Sequence, residues 1–109
     1  MPARVLPEPR RGEVWLATLD KRRPVVVLTR DPMGRYLHAV LVAPVTSTVR
    51  GISTEVPLTK ADGLPKACVA NVDNAQLLAR SSFVRRLGNV RPPTMRNLCT
   101  AVAIATGCD

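Results

Sequence analysis

Histidine is almost absent from this chain of 109 residues, since His38 is the only one. A ribonuclease that uses a pair of histidines as acid and base is therefore excluded. The three cysteines, Cys68, Cys99 and Cys108, form no CxxC pair. The sequence thus supports neither a disulfide framework nor a zinc site, and it predicts no metal or other cofactor. This cysteine usage predicts a protein of the reducing cytoplasm.

Aromatic residues are also scarce, at 3% of the chain. A broad surface on which RNA bases stack is not expected, and Trp15 is interpreted as a core residue. No apolar run reaches membrane-spanning length, so no membrane segment is predicted. The chain lacks a Walker loop, a GxGxxG motif, an HExxH motif and a nucleophilic serine elbow. The kind of catalytic site that the sequence still allows is a phosphate site made from arginine, hydroxyl and carboxylate groups.

Acidic residues are few: 8 Asp and Glu stand against 16 Lys and Arg, for a formal net charge of +8. This excess favours RNA, DNA, an acidic protein or an anionic surface as partner. Only three of the basic residues are lysines, and the planar arginine fork matches phosphate geometry better than an ammonium does. A GC-rich genome would produce the same arginine bias. Charge alone therefore does not separate a nuclease from a binding protein.

The length and the 46% hydrophobic content predict one domain, which we place at residues 10–109. Residues 1–9 contain three prolines and no long apolar segment, so they are predicted to be a flexible leader rather than a secretion signal. Residues 25–28 and 39–45 are apolar on both alternating faces. Strands there need cover on both sides, from a curved sheet, a helix or a second subunit.

Alternating and β-branched segments predict strands at 12–19, 24–29, 36–45, 53–58 and 67–72. The strand at 53–58 is expected to be half-exposed. Asp31-Pro32-Met33-Gly34 predicts a turn, which would make the second and third strands a hairpin, and residues 46–51 predict a loop with a sharp reversal at Gly51. Residues 82–90 are compatible with a strand or a helix.

The C-terminal segment changes to a helical period, with apolar residues at positions 95, 98, 99, 102 and 105. A helix is predicted to start at Pro92 or Pro93 and to end at Gly107. Cys99 lies on the apolar stripe and is interpreted as a small core residue. Several short strands followed by one helix predict a mainly β fold, a small barrel capped by a helix.

Arg23 and Thr46 are the most informative residues of the chain. Arg23 precedes Pro24 at the start of one predicted strand, and Thr46 ends a neighbouring strand, so a phosphate could bridge both side chains. RNA carries its own nucleophile, the 2′-hydroxyl, and an enzyme can cleave it by aligning that oxygen and stabilising the charge on the phosphorane. One hydrogen-bond donor to the phosphorane in a water-excluded site typically lowers the barrier by roughly 3 kcal/mol.

A general base is harder to assign. A guanidinium with a pKa above about 12 accepts protons poorly, so Arg23 is assigned to charge stabilisation, with leaving-group protonation as a second role. Asp73 is the candidate base, and an unusual role for Arg23 stays open. Ordinary structural interpretations also exist: a solvated Arg23, an ST-turn at Thr46, turn chemistry at Asp73 and Asn74, and a packed or edge position for His38.

Four segments, taken in order, resemble the MazF/PemK/Kid family of toxin endoribonucleases from bacterial toxin–antitoxin systems. They are RRGEVWLATL (10–19), RRPVVVLT (22–29), LVAPVTSTVRGISTEVPL (41–58) and CVANVDNAQLL (68–78). The resemblance implies an SH3-like barrel of the CcdB/MazF type with a C-terminal helix, acting as a homodimer. It also implies metal-independent cleavage of single-stranded RNA at short sequences, which leaves 2′,3′-cyclic phosphate and 5′-hydroxyl ends until a cognate antitoxin occludes the site.

By position, the resemblance implies catalytic roles for Arg23, Thr46 and, as in the Kid branch, Asp73. The candidate RNA-binding residues around them are Lys21, Arg22, Ser47, Thr48, Arg50, Asn71 and Asn74. Asn71 replaces an arginine that relatives use two residues before the acid, and the histidine of the Kid branch has no clear counterpart. The long loop that relatives carry between the first two strands is reduced here to residues 20–22, which leaves the cleavage-site sequence open.

An endoribonuclease toxin is the leading hypothesis, because Arg23-Pro24 and Thr46 occur together. One alternative is a non-catalytic inhibitor like CcdB, which resembles the same barrel but poisons DNA gyrase through its C-terminal helix. Another is a basic RNA-binding module that binds in a salt-dependent way without cleaving. The antitoxin is expected to be acidic and partly disordered, because it must cover a +8 surface.

Overall fold

The computed structural model describes residues 6–31 and 38–108, which form seven strands and one α-helix. The elements are β1 (Glu13–Thr18), β2 (Arg22–Val27), β3 (Ala39–Thr46), β4 (Glu55–Leu58), β5 (Cys68–Asn71), β6 (Gln76–Ala79), β7 (Phe83–Asn89) and α1 (Pro92–Thr106). The predicted class, mainly β with a C-terminal helix, is confirmed. No helix in the described part of the chain is long and apolar enough to cross a membrane.

The strands form one antiparallel sheet in the order β4-β5-β3-β2-β1-β7, with β6 on β3. β3 changes partners along its length. Residues 42–44 pair with β2, whereas Val45 and Thr46 pair with β5. The C-terminal end of β3 is therefore the point at which the two halves of the sheet meet.

Both faces of the central strands are covered within this one chain. Val26 and Leu28 belong to the apolar cluster that includes Leu98 of α1. Val25 and Val27 belong to a second cluster, which includes Phe83. The curved sheet and the helix thus supply the cover that the double-faced apolar runs require.

Helix α1 has the predicted bounds. Pro92 is its first residue, and Gly107 ends it in the left-handed conformation (φ 72°), where the Cys108 amide donates to the Ala103 carbonyl at 2.8 Å. The prediction that Cys99 is a core residue is wrong, because Cys99 is exposed. The buried side of the helix carries Thr94, Leu98 and Ala101, so the face that meets the sheet is narrower than the apolar stripe.

The predicted strands are present with end shifts of up to two residues at their described ends, and residues 82–90 prove to contain a strand, β7. Positions 32–37, which include most of the predicted turn and the start of the predicted third strand, lie outside the described residues. β2 and β3 do pair antiparallel, as a hairpin requires. β6 was not predicted. Its four residues, QLLA, carry only one buried side chain, Leu78, which is too short a pattern to detect.

Two predicted features differ in detail. Trp15 is half-buried rather than enclosed: its ring meets Phe83 edge to face at 5.7 Å, and Nε1 donates to a Glu13 carboxylate oxygen at 3.1 Å. Within the predicted leader, Pro9 is fully buried and the Pro7 carbonyl accepts a 2.7 Å hydrogen bond from Arg80 Nε. His38 is exposed at the edge of β3.

Candidate functional site

The ends of β2 and β3 bring Arg23 and Thr46 together. Val25 pairs with Pro44, and continuing this register by two residues places Arg23 opposite Thr46. Both side chains are half-buried. Both line a cavity of about 280 Å³, here called the central cavity, whose walls are Arg23, Pro44, Val45, Thr46, Thr48, Arg50, Asn71 and Asn74. Six of the residues predicted from the sequence therefore share one depression.

Two neighbouring depressions extend the site, and Arg23 lines both. One, of about 240 Å³, adds Ser47, Lys66 and Cys68. The other, of about 510 Å³, adds Asp20, Asp73 and Gln76. The structure thus places Asp73 beside the central cavity rather than inside it. Lys21 and Arg22 are exposed on the adjoining turn and line none of these three depressions.

The Arg23 guanidinium is partnered by Asp20, from the short connection between β1 and β2. Nε lies 3.3 Å from Oδ1 and Nη2 lies 3.5 Å from Oδ2. The hydrogen bond from Arg23, assisted by the Lys21 amide, lowers the pKa of Asp20. The Asp20 side chain is 73% exposed, so the pair is screened by water and can be exchanged for a phosphate at little cost.

Thr46 forms the predicted ST-turn, because its Oγ1 accepts the Thr48 amide at 3.1 Å. This bond uses an acceptor lone pair and leaves the hydroxyl proton free to donate. The ordinary turn role and a role toward phosphate are therefore compatible in one side chain. The turn also fixes the side chain at the rim of the central cavity.

Asp73 lies on a single 3₁₀ turn after β5 and is exposed. Its Oδ2 accepts a 2.6 Å hydrogen bond from the hydroxyl of the buried Thr54. The carboxylate is thus fixed in orientation while it stays in contact with solvent.

Sequence reasoning missed Glu55, the first residue of β4. It is only 8% exposed, and its Oε1 accepts the Arg50 and Gly51 amides at 2.9 Å each. Glu55 thereby closes the loop that carries Thr48 and Arg50 into the central cavity, and Gly51 makes the predicted reversal (φ 76°). A glutamate in an alternating strand predicts an exposed position, so no sequence pattern indicated this role.

Within the described residues, no group of three or more His, Cys, Asp and Glu side chains is arranged to hold a metal ion. Cys68, at the edge of the site, is buried. Burial, with a further contribution from the Asp62 charge, raises the pKa of its thiol, and nearby Lys66 opposes this only in part. The thiol is therefore protonated at neutral pH and does not serve as a nucleophile.

Comparison with known proteins identifies a matching family and close relatives. A family model described as "PemK-like, MazF-like toxin of type II toxin-antitoxin system" matches residues 10–106. Probable endoribonuclease MazF2 of Mycobacterium tuberculosis is 42% identical over 101 residues, covering 91% of this chain and 99% of the relative. Probable endoribonuclease MazF5 of the same organism is 41% identical over 104 residues, covering 93% and 95%.

Two solved structures extend the likeness to the backbone. Mycobacterium tuberculosis toxin MazF-mt6 aligns with a TM-score of 0.85 and 37% identity, over 89% of this chain and 98% of that one. An endoribonuclease from a mycobacterial species, solved in complex with its cognate antitoxin, aligns with a TM-score of 0.85 and 31% identity, over 93% and 97%.

Proposed function

The chain belongs to the PemK-like, MazF-like toxin family of type II toxin–antitoxin systems, and from this premise we propose that it is a sequence-selective endoribonuclease toxin. It cleaves single-stranded RNA without a metal ion and leaves 2′,3′-cyclic phosphate and 5′-hydroxyl ends. The observation that carries this proposal is the presence of Arg23 and Thr46 in one small polar cavity at the junction of three strands.

The chemistry requires charge stabilisation at phosphorus. The Arg23 fork leaves Asp20 and binds a non-bridging oxygen of the scissile phosphate, and the Thr46 hydroxyl donates to the same group. Arg50, in the same cavity, adds a second positive charge. The 2′-oxygen forms its bond to phosphorus as the bond to the 5′-oxygen breaks. A guanidinium stays protonated throughout, so Arg23 stabilises the phosphorane rather than accepting the proton.

Asp73 is the proposed general base. It shares a depression with Arg23 and Asn74, and Thr54 fixes its orientation. It takes the proton of the 2′-hydroxyl, and the leaving 5′-oxygen takes a proton from solvent water. Ser47, Thr48, Asn71 and Asn74 bind the RNA within these depressions, and Lys21 and Arg22 guide its backbone from the adjoining turn.

The toxin acts in the cytoplasm as a homodimer of single-domain chains, each with its active domain at residues 10–109, and a cognate antitoxin neutralises it. The solved relative in complex with its antitoxin supports the partner, and the net charge of +8 favours an acidic one. The CcdB-like alternative is not favoured, because the family match covers the strands that carry Arg23 and Thr46 as well as the helix.

Substitution of the two principal residues tests the assignment. Arg23→Ala and Thr46→Ala are each expected to lower the cleavage rate of RNA in EDTA at least 100-fold, because each removes a preorganised donor to the phosphorane. Arg85→Ala, an exposed arginine on β7, is the matched control and should retain the rate. Full activity in both site variants, with folding intact, would refute the assignment.

The product ends separate the three candidate functions. Purified protein incubated with RNA in EDTA should yield discrete fragments with 2′,3′-cyclic phosphate ends. Salt-dependent binding without fragments would instead identify a binding module. Inhibition of DNA gyrase that survives Arg23→Ala would support the CcdB-like alternative.

A further inference from the structure

Among the residues that the structure describes, two buried acceptor atoms beside the central cavity lack a hydrogen-bond donor. Glu55 and Asn71 are directly opposed across β4 and β5 and are 8% and 7% exposed. Within the described residues, neither Glu55 Oε2 nor Asn71 Oδ1 has a hydrogen-bond partner. An unpaired buried acceptor costs about 1–3 kcal/mol, so two of them on neighbouring residues call for an explanation.

The strand register suggests how both atoms can be satisfied. Directly opposed residues of an antiparallel pair project from the same face, with their Cβ atoms about 5 Å apart. An asparagine amide can rotate by 180° and exchange its oxygen and nitrogen at almost no steric cost. After that rotation, Nδ2 is the buried atom and can donate to Glu55 Oε2. Oδ1 then faces the cavity that Asn71 lines.

We propose that Glu55 is a positioning residue that holds the Asn71 amide in this rotated orientation, so that Asn71 Oδ1 reads the exocyclic amino group at C6 of a purine or C4 of a pyrimidine. Adenine and cytosine carry such a group, whereas guanine and uracil carry a carbonyl oxygen at the equivalent position. The carbonyl would face the Asn71 oxygen without a proton between them. This inference rests on the proposed function and gives one nucleotide position a preference for A or C.

The same Glu55 carboxylate links this preference to the loop. Its other oxygen accepts the Arg50 and Gly51 amides, so one buried anion fixes both the reading amide and the loop that carries Arg50. A carboxylate is required at this position because it can accept from the loop amides on one oxygen and from the Asn71 amide on the other. A glutamine could keep the loop amides on its oxygen, but its nitrogen would then face Asn71 as a donor.

Glu55→Gln is therefore expected to reverse the preference rather than abolish it. The new donor favours the unrotated amide, with Asn71 Oδ1 toward the glutamine and Nδ2 toward the cavity, where it pairs with a carbonyl. In a randomised single-stranded RNA library, the wild type should favour A or C roughly tenfold at one position. Glu55→Gln should favour G or U there, and Asn71→Ala should show no preference.

The control is Glu13→Gln, a glutamate that also accepts a backbone amide, from Arg10, but lines none of the depressions of the site. Glu13→Gln should keep the wild-type base preference. A base preference that is also unchanged in Glu55→Gln and Asn71→Ala would overturn the inference. Base preference is scored both at the cut sites and in RNA retained on filters. If the wild type cuts nothing, the proposed function fails, while the retained RNA still decides the role of Glu55 and Asn71.

Discussion

One buried carboxylate lies at the start of β4 and another lies in the 3₁₀ turn after its end, and their oxygens are hydrogen-bonded to different degrees. Beyond the C-terminal end, Asp62 is 1% exposed, and its oxygens accept the Thr59 amide at 3.1 Å and the Arg91 amide at 2.9 Å. At the N-terminal end, Glu55 satisfies one oxygen with two amides and leaves the other without a donor among the described residues. A saturated buried carboxylate serves the fold, whereas a half-saturated one can orient a neighbouring side chain that lines a cavity, as Glu55 is proposed to orient Asn71.

The pKa of Asp62 shows the strength of its contacts. Burial raises the pKa of this carboxyl group, but the hydrogen bonds from Arg91, Thr59 and Thr94, together with the Arg91 charge, outweigh that effect and hold it below the ordinary value. Asp62 thereby ties the 3₁₀ turn after β4 to Arg91, the residue that precedes helix α1.

Removal of the saturated carboxylate should have the larger effect on stability. Asp62→Ala leaves two backbone amides without partners, so we expect the free energy of unfolding to fall by about 3 kcal/mol. Glu55→Gln keeps an acceptor for the loop amides and should cost less than about 1 kcal/mol. Urea denaturation of both variants measures the difference. Equal losses would mean that Glu55 is as structural as Asp62, and the comparison would fail.

Acid should reduce the contribution of Asp62 to the free energy of unfolding. The pKa of Asp62 is lower in the folded state than the unfolded value of about 3.9, so its stabilisation is complete above that pH and is lost as the pH falls through the folded pKa. The gap in urea midpoint between the wild type and Asp62→Asn should therefore narrow below about pH 4. A gap that stays constant down to pH 2 would mean that the Asp62 contacts do not depend on its charge.

Much of this architecture follows from local sequence patterns. β-branched runs place β2 and β3, and proline and glycine bound α1, so the strand ends that carry Arg23 and Thr46 could be located. Asn74, which follows β5 rather than either of those strand ends, was predicted from the family resemblance instead. Local patterns could not show which side chains become buried when strands that are distant in the sequence pair. Glu55 is buried because β4 pairs with β5, and an alternating segment read alone makes it look exposed.

Cys99 shows the same limit in the helix. Apolar spacing places it on the stripe, yet the sheet covers only the side with Leu98 and Ala101. The Cys99 sulfur instead accepts a hydrogen bond from Arg11 at 3.0 Å, at another cavity, of about 690 Å³, which lies between α1, the end of β7 and the residues just before β1. That cavity is larger than the central one, and the Arg11 guanidinium that lines it also donates to the Leu28 carbonyl. The larger cavity thus contains none of the three residues proposed to be catalytic.

The smallest expected effect concerns Asp20, the exposed partner of Arg23. Asp20→Asn removes a competitor for the guanidinium, so KM for RNA should fall roughly threefold with little change in kcat. The salt dependence of binding should steepen, since one more positive charge faces phosphate. Asp31→Asn changes the net charge equally at a carboxylate bonded to the Arg11 amide, and it should leave KM unchanged. A fall in kcat for Asp20→Asn would show instead that this exposed carboxylate positions Arg23. The number of unpaired carboxylate oxygens, which distinguishes Glu55 from Asp62, would then not by itself separate a functional carboxylate from a structural one.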